Sequence, residues 1–215
     1  MIYSIIISSI NNHDFSPADI CQSGFFPILI ASTFHEYSHA WTATKLGDLT
    51  SKVNGRLTLN PLKHIDPLGA LCMVLLKFGW SKPVPINEYN FENRTRDTAL
   101  VSIAGPLSNI VLLLGVSLLN YLFKPTGALA VFFLTFAMVN IVLAIFNLLP
   151  IPPLDGHKIV RAFLPQKARY YWEDLEKFQI VFLIIILIPI FPFGSIVSLI
   201  MSNTSSLLLK ILGFF

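Results

Sequence analysis

The fold is decided by residues 24–46, GFFPILIASTFHEYSHAWTATKL, a largely apolar stretch that ends against Gly47. A helix of about 20 mostly apolar residues crosses the hydrocarbon core of a membrane. We therefore predict a membrane-spanning helix here, with the sequence HEYSH at residues 35–39 inside it. Ionisable side chains are costly at that depth, so by default they have a function.

Three further stretches have a similar length and apolar character. They comprise about residues 98–123, 127–149 and 178–200. Pro189 and Pro192 lie in the last of these and should kink it, because proline removes a helical hydrogen bond. A shorter apolar stretch at residues 68–78 contains Lys77 and cannot cross, so we predict a re-entrant or partial helix there.

Asn54-Gly55 separates two runs of β-prone residues at positions 49–59. The Asn-Gly pair is the strongest short-range signal for a β-hairpin turn. We therefore expect a membrane all-α fold, a bundle of about four transmembrane helices with a short re-entrant helix and a small β-hairpin sheet. Residues 1–215 are predicted to form a single integral-membrane domain, with its core at about residues 24–161 and a kinked C-terminal span at about 178–200.

The composition favours a membrane protein and excludes several other classes. Apolar residues make up 54% of the 215 residues and charged residues only 13%, about half of the roughly 25% found in soluble domains. The net charge of +3 is too small to suggest a nucleic-acid-binding surface. Two cysteines permit neither a disulfide framework nor a cysteine-rich metal site. Membrane lipid is therefore an expected partner, and nucleic acid is not.

The basic residues fall on one side of the predicted bundle. We treat the short segment at residues 68–78 as non-crossing. Of the 15 Lys and Arg residues, 13 then lie on that side, and the exceptions are Lys124 and Lys210. Such a bias marks the cytoplasmic side of a membrane protein. We predict a multi-pass protein of the cell membrane, with both termini outside and the candidate site towards the cytoplasm.

His35, Glu36 and His39 form the most specific chemical pattern. Residues four apart lie on one helix face, so both imidazoles can bind a single metal ion. Glu36 lies beside them, where it can take a proton from a metal-bound water whose pKa the metal lowers towards about 7. The pattern predicts a metal site with its own general base.

Two histidines do not complete a catalytic zinc site, which usually has three protein ligands and one water. The other histidines, at positions 13, 64 and 157, lie in loops or tails. Asp155 is the best third candidate, because the proline-rich stretch at residues 150–153 cannot continue the preceding helix and can return the chain to the depth of His39. The alternative is a solvated turn aspartate before Gly156.

Other polar residues have mainly structural interpretations. We expect Asn140 to form an interhelical hydrogen bond rather than to line the site. Gly105 and Asn109 are expected to serve close helix packing, with substrate contact as the less favoured interpretation. His64 should pin the short segment that follows it. His157 has a possible role as a hydrogen-bond partner of the candidate aspartate.

Five motifs in order give the chain a specific resemblance. They are HEYSHAW, GRLTLNPLKHIDPLG, FGWSKPVP, AGPLSN and FNLLPIPPLDG, between residues 35 and 156. Together they resemble the site-2 protease family of intramembrane zinc metalloproteases, peptidase family M50, in its compact form without a PDZ domain. The resemblance implies one zinc ion per chain, held by His35, His39 and Asp155. It also implies that Glu36 is the general base and that Asn147 positions the scissile carbonyl or stabilises the oxyanion.

By the same resemblance, the activity is hydrolysis of peptide bonds in transmembrane protein substrates, as in regulated intramembrane proteolysis. An edge strand of the predicted hairpin would hold the unwound substrate by backbone pairing. Two alternatives stay open, a non-proteolytic membrane metal-binding protein and an inactive homologue. The other spans offer no chain of ligands across the membrane, and metal binding alone does not require Glu36.

Overall fold

The computed structural model describes residues 17–69, 71, 81–182 and 207–214, and the chain is mainly helical within these ranges. The helices are α1 (Pro17–Lys45), α2 (Thr50–Val53), α3 (Arg94–Phe123), α4 (Gly127–Asn147), α5 (Asp155–Phe163) and α6 (Gln166–Asp174). Short 3-10 turns lie at Pro61–Lys63, Glu88–Asn90 and Leu175–Phe178.

Helices α1, α3 and α4 pack against one another and form the body of the protein. Their shared core contains Ala31 from α1, Leu113 and Val116 from α3, and Met138 and Ile141 from α4, all buried. The shorter α5 packs on α3. The chain therefore turns back along α3 after α4, which brings the start of α5 to the middle of the bundle.

An apolar stripe on α3 faces away from this core. Its members, at intervals of three or four residues, are Leu107, Val111, Leu114, Leu118 and Leu122, each more than half exposed. Such a row lies on one side of a helix and is stable against lipid rather than water. Within the described residues, α3 and α4 are the two helices long and apolar enough to cross a membrane.

The predicted count of about four membrane spans is therefore wrong for the described part of the chain. Helix α1 has 29 residues and sufficient length, but it is not among the helices apolar enough to cross. Its polar side chains, including His35, Glu36, His39 and Lys45, lower its hydropathy. Most of the span predicted at residues 178–200 lies outside the described residues, as does most of the short helix predicted at 68–78.

The predicted β-hairpin at Asn54-Gly55 is also wrong, because this pair ends helix α2. Gly55 has a φ of +64°, the left-handed conformation that closes many helices. Its N–H donates to the Lys52 carbonyl at 3.0 Å, and the Arg56 N–H donates to the Ser51 carbonyl at 2.8 Å. These two bonds are those of a Schellman motif, which favours the same Asn and Gly residues as a hairpin turn.

Asp48 explains why a helical turn forms here instead of a strand. Its Oδ1 accepts a hydrogen bond from the Thr50 N–H at 3.0 Å, which satisfies a free donor at the start of α2. No β-strand occurs in the part of the chain that the structure describes, where Ile65 and Ser81 form an isolated antiparallel bridge. The all-helical interpretation stands there, without the small sheet.

Candidate metal centre

Three predicted side chains meet at the centre of the bundle. His35 and His39 lie one turn apart on α1, and their Nε2 atoms are 3.0 Å from each other. Asp155, the first residue of α5, places its Oδ2 at 3.3 Å from His35 Nε2 and 3.2 Å from His39 Nε2. Both imidazoles are buried, and only 15% of the aspartate side chain is exposed. The sequence expectation that Asp155 returns to the histidines agrees with this geometry.

Gly156 allows the chain to make this return. A Cβ at this position would collide with the backbone carbonyls of Leu148 and Leu149, which immediately follow α4. The absence of a side chain therefore lets α5 begin directly against the end of α4. Asp155 lies in the first turn of α5, where the helix dipole favours a carboxylate.

The hydrogen bonds behind the two imidazoles fix the tautomer of their neutral form. His35 Nδ1 is 2.7 Å from Asn109 Oδ1, and His39 Nδ1 is 2.7 Å from the Val101 carbonyl oxygen. Both partners are acceptors, so each Nδ1 carries a proton and donates it. In the neutral imidazoles, each Nε2 is then unprotonated and has a lone pair that can bind a metal ion. The short contact between the two Nε2 atoms therefore brings two acceptors together and is not a hydrogen bond.

The amide orientation of Asn109 is fixed independently. Its Nδ2 donates to Asn140 Oδ1 at 2.9 Å and to the Ala31 carbonyl at 3.3 Å, which leaves Oδ1 to face His35. Asn140 donates in turn to the Phe136 carbonyl on its own helix at 2.8 Å. The interhelical hydrogen bond predicted for Asn140 is confirmed, and it belongs to a chain of contacts that ends at His35.

The ligand atoms of His35, His39 and Asp155 fit a divalent metal ion. Two imidazole lone pairs and a carboxylate oxygen lie within 4.8 Å of one another, and they repel one another unless a cation lies between them. Asp155 Oδ2 is buried and has no hydrogen-bond partner among the described residues. Two nitrogen ligands and one oxygen ligand suit zinc and leave a fourth coordination position.

Gly105 on α3 forms the wall beside the histidines. A Cβ at this position would lie 2.5 Å from His39 Cε1 and 2.6 Å from His35 Cε1, which is much shorter than a van der Waals contact between carbon atoms. Only glycine allows α3 to come this close to both rings. Helix packing was expected for Gly105, and the structure shows that the packing partners are the candidate ligands themselves.

Glu36 is held by two hydrogen bonds from the segment at residues 81–84. Ser81 Oγ donates to Glu36 Oε1 at 2.9 Å, and the Val84 N–H donates to Oε2 at 3.0 Å. The segment is itself anchored, since Arg56 donates to the Lys82 carbonyl at 2.6 Å. The buried carboxylate therefore has a fixed orientation next to His35 in the chain.

A buried ion pair holds α5 in place. Arg161 donates to Glu88 Oε2 at 2.8 Å, and Arg94 donates to the same oxygen at 3.1 Å. Burial raises the pKa of the Glu88 carboxyl, but the hydrogen bond and charge of Arg161 and the hydrogen bond from Arg94 outweigh it, so the pKa lies below its usual value. Glu88 thereby links the helix that begins with Asp155 to the start of α3.

Three other residues singled out from the sequence make their hydrogen bonds outside this group. Asn147 donates from Nδ2 to the Leu143 carbonyl of its own helix at 3.0 Å, so its role in the reaction stays a prediction. His157 stacks on Trp172, with ring centroids 5.0 Å apart, and its Nε2 bonds the Trp172 carbonyl at 3.0 Å. His64 bonds the Thr58 carbonyl at 2.8 Å through Nε2.

The residues that support the centre were the ones missed from sequence. Asn109 is the direct partner of His35, and Val101 contributes only a backbone carbonyl. Close helix packing was expected for Asn109, as for other buried amides in apolar helices, but its contact with His35 was not predicted. No sequence signal identifies a backbone carbonyl or the Ser81 contact to Glu36.

Comparisons with known proteins agree with this chemistry. Residues 124–190 match the model of peptidase family M50. The chain is 40% identical over 173 residues to "Putative zinc metalloprotease YwhC" of Bacillus subtilis, with 76% of this chain and 79% of that protein covered. This chain belongs to peptidase family M50. It is also 31% identical over 180 residues to "Putative zinc metalloprotease Rip2" of Mycobacterium tuberculosis, with 78% of this chain and 69% of that protein covered.

A third relative matches a shorter part of the chain. The chain is 29% identical over 132 residues to "Putative zinc metalloprotease MJ0611" of Methanocaldococcus jannaschii, with 60% of this chain and 63% of that protein covered. No solved structure matches the chain. Membership of M50 confirms the resemblance to site-2 proteases and supports the metalloprotease class and zinc as the metal. Proteins of this family are generally embedded in membranes, in line with the length and apolar character of α3 and α4.

Proposed function

We propose that this M50 protein is an intramembrane zinc metalloprotease that carries one zinc ion per chain on His35, His39 and Asp155. The observation that supports it is the convergence of three ligand atoms, two of them on imidazoles whose other ring nitrogen faces an acceptor. Bound there, zinc supplies Lewis acidity and lowers the pKa of a water molecule. The remaining chemistry belongs to residues of the chain.

Glu36 moves the proton. Each oxygen of its carboxylate accepts one hydrogen bond and keeps a further lone pair for a proton. Glu36 takes the proton from the attacking water and returns it to the leaving amine. Asn147 has an amide that can exchange its bond with the Leu143 carbonyl for a bond to the developing oxyanion.

The substrate class is a transmembrane helix that unwinds locally before it is cut. His35, Glu36 and His39 are each less than a tenth exposed, between helices that are apolar enough to span. A peptide bond in a regular helix cannot reach such a site, because its carbonyl is already bonded and surrounded by side chains. Basic residues on the side of the metal centre favour a cytoplasmic position for it.

The test is cleavage by the Glu36→Gln variant. Glutamine can accept from the Val84 N–H and donate to Ser81 Oγ, so the fold and the metal ligands should be preserved. We expect wild-type zinc content, measured by mass spectrometry, and loss of cleavage of tagged single-span substrates reconstituted in the same vesicles. Glu92→Gln, an exposed change of the same kind, is the matched control and should keep full activity.

Zinc stoichiometry of Asp155→Ala separates the metal site from the reaction. We expect about one zinc per wild-type chain and a clear loss in the variant, since three protein ligands usually hold a catalytic zinc. Zinc bound by the wild type without cleavage of any substrate tried would favour a non-proteolytic metal-binding protein. Cleavage retained by Glu36→Gln would remove Glu36 as the base.

A further inference from the structure

A second polar cavity lies away from the metal centre, between the first turn of α3 and helices α5 and α6. Its volume is about 350 Å³. Three arginines line it, one from each of these helices: Arg94, Arg161 and Arg169. Gln166 and Tyr170 add hydrogen-bonding groups at its exposed edge. The proposed peptidase reaction uses none of these side chains.

The charges around the cavity do not cancel. Arg94 and Arg161 share the carboxylate of Glu88. Arg161 also faces Glu173, with the closest N–O distance 3.6 Å. Three guanidinium groups therefore meet two carboxylates. An excess positive charge at the edge of a membrane favours an anionic ligand.

Arg169 carries that excess. It has no carboxylate partner among the described residues, and its Nη1 and Nη2 donate to the uncharged Thr95 Oγ1 and Leu164 carbonyl at 2.9 and 3.1 Å. Its Nε is buried and lacks a partner in the same part of the chain. A guanidinium group matches the geometry of a phosphate, which accepts two parallel hydrogen bonds from it.

The surroundings of the cavity are those of a membrane surface. Arg94 begins α3, which is one of the two helices in the described part of the chain that are long and apolar enough to cross a membrane. Tyr170 and Tyr171 are 65% and 73% exposed, and Phe163 at the end of α5 is 81% exposed. Aromatic side chains of this kind gather at the level of lipid headgroups. A phosphate at this depth is most readily supplied by a phospholipid.

We propose that the cavity between α3, α5 and α6 binds the phosphate of an anionic phospholipid headgroup, with Arg169 as its principal donor. The bound phosphate also approaches the helix that begins with Asp155, so the cavity connects the lipid surface with the element that delivers a candidate ligand. The proposal does not depend on peptidase activity, and its test measures binding.

Titration calorimetry of the full chain in neutral detergent tests the proposal, with short-chain phosphatidylglycerol as the probe. Phosphatidylcholine of the same chain length is the neutral-headgroup comparison, and glycerol 3-phosphate is the soluble source of phosphate. We expect saturable binding of phosphatidylglycerol, weakened about tenfold or more by Arg169→Gln, because hydrogen bonds to charged groups are among the strong ones. Lys167→Gln loses the same charge from an exposed position of α6 outside the cavity, and should change binding less than twofold.

A second variant protects the test against misfolding of the first. Gln166→Glu adds a negative charge at the exposed first residue of α6, where a carboxylate suits the helix, and should also weaken phosphatidylglycerol binding about tenfold. Gln179→Glu, an exposed change of the same kind outside the cavity, should have no effect. Equal binding of the two lipids, or equal loss in the cavity and control variants, would overturn the proposal. Glycerol 3-phosphate binding as tightly as the lipid would overturn the lipid source.

Discussion

Replacing Gly105 by alanine tests whether α3 contacts the candidate zinc ligands as closely as the structure shows. The added Cβ would lie 2.5 Å from His39 Cε1 and 2.6 Å from His35 Cε1. Non-bonded carbon atoms are stable at about 3.5–4.0 Å. Either the two rings or helix α3 must therefore move by about 1 Å.

A displacement of this size exceeds what a metal site accepts. Ligand distances in such sites lie within about 0.2 Å of their ideal values. Changes to groups behind the ligands already lower metal affinity about 10–100-fold, and Gly105→Ala displaces the ligands themselves. We therefore expect a loss of zinc affinity at or above the upper end of that range, with loss of any cleavage. The helix itself should gain up to about 1 kcal/mol, since alanine is favoured over glycine within helices.

Gly115→Ala provides the matched control on the same helix. Its added Cβ would have no atom within 4 Å, so the helix gains while the centre is untouched. Zinc affinity is measured by competition with a chelator in detergent, and stability by the melting temperature of the metal-free protein. We expect unchanged zinc affinity and a raised melting temperature for Gly115→Ala. Wild-type zinc affinity in Gly105→Ala would refute the close approach of α3.

Two further predictions concern the contacts around the centre. Asn109→Leu leaves the His35 Nδ1–H without its acceptor and should lower zinc affinity about 10–100-fold in the same competition assay; Ser117→Ala, which removes a hydrogen bond within α3 alone, should change it less than twofold. The lowered pKa of Glu88 means that its pairing with Arg161 stabilises the fold above the ordinary glutamate pKa of about 4.3 and that this stabilisation is lost as the pH falls through the lowered value. The melting temperature of the wild type should therefore exceed that of Glu88→Gln at pH 7, with a difference that shrinks below about pH 4; a constant difference would contradict the role of this charge.

The residues of the candidate metal centre could be predicted from the sequence because short segments of sequence identify them. His35 and His39 share a helix face by spacing alone, and the prolines before Asp155 rule out a continued helix. The groups behind these side chains follow from tertiary contacts instead. Asn109 reaches His35 because α3 crosses α1 at Gly105. The sequence indicated close packing at Gly105 but not which helix packs there.

The hairpin error has a physical cause in the properties of glycine. Asn-Gly favours any turn that needs a positive φ at glycine, and both a type I′ hairpin and a helix C-terminus need one. Asp48 favours the helical turn, because its carboxylate accepts a hydrogen bond from the N–H of Thr50, the first residue of α2. A helix of four residues has too few positions for a helical hydrophobic period to show. The local sequence therefore specified a turn without specifying what the turn connects.

Helix α1 is less apolar than α3 and α4 because it contains residues of the candidate metal centre. Its histidines and Glu36 are polar, yet all three side chains are buried. Ala31, Ala40 and Ala43 on the same helix are fully buried, and small residues let neighbouring helices approach closely. This approach lets α3 supply acceptors to both imidazoles, which removes the cost of their buried N–H groups. The side chains of His35, Glu36 and His39 are therefore tolerated because they face the other helices, while Trp41 on the same helix is 48% exposed.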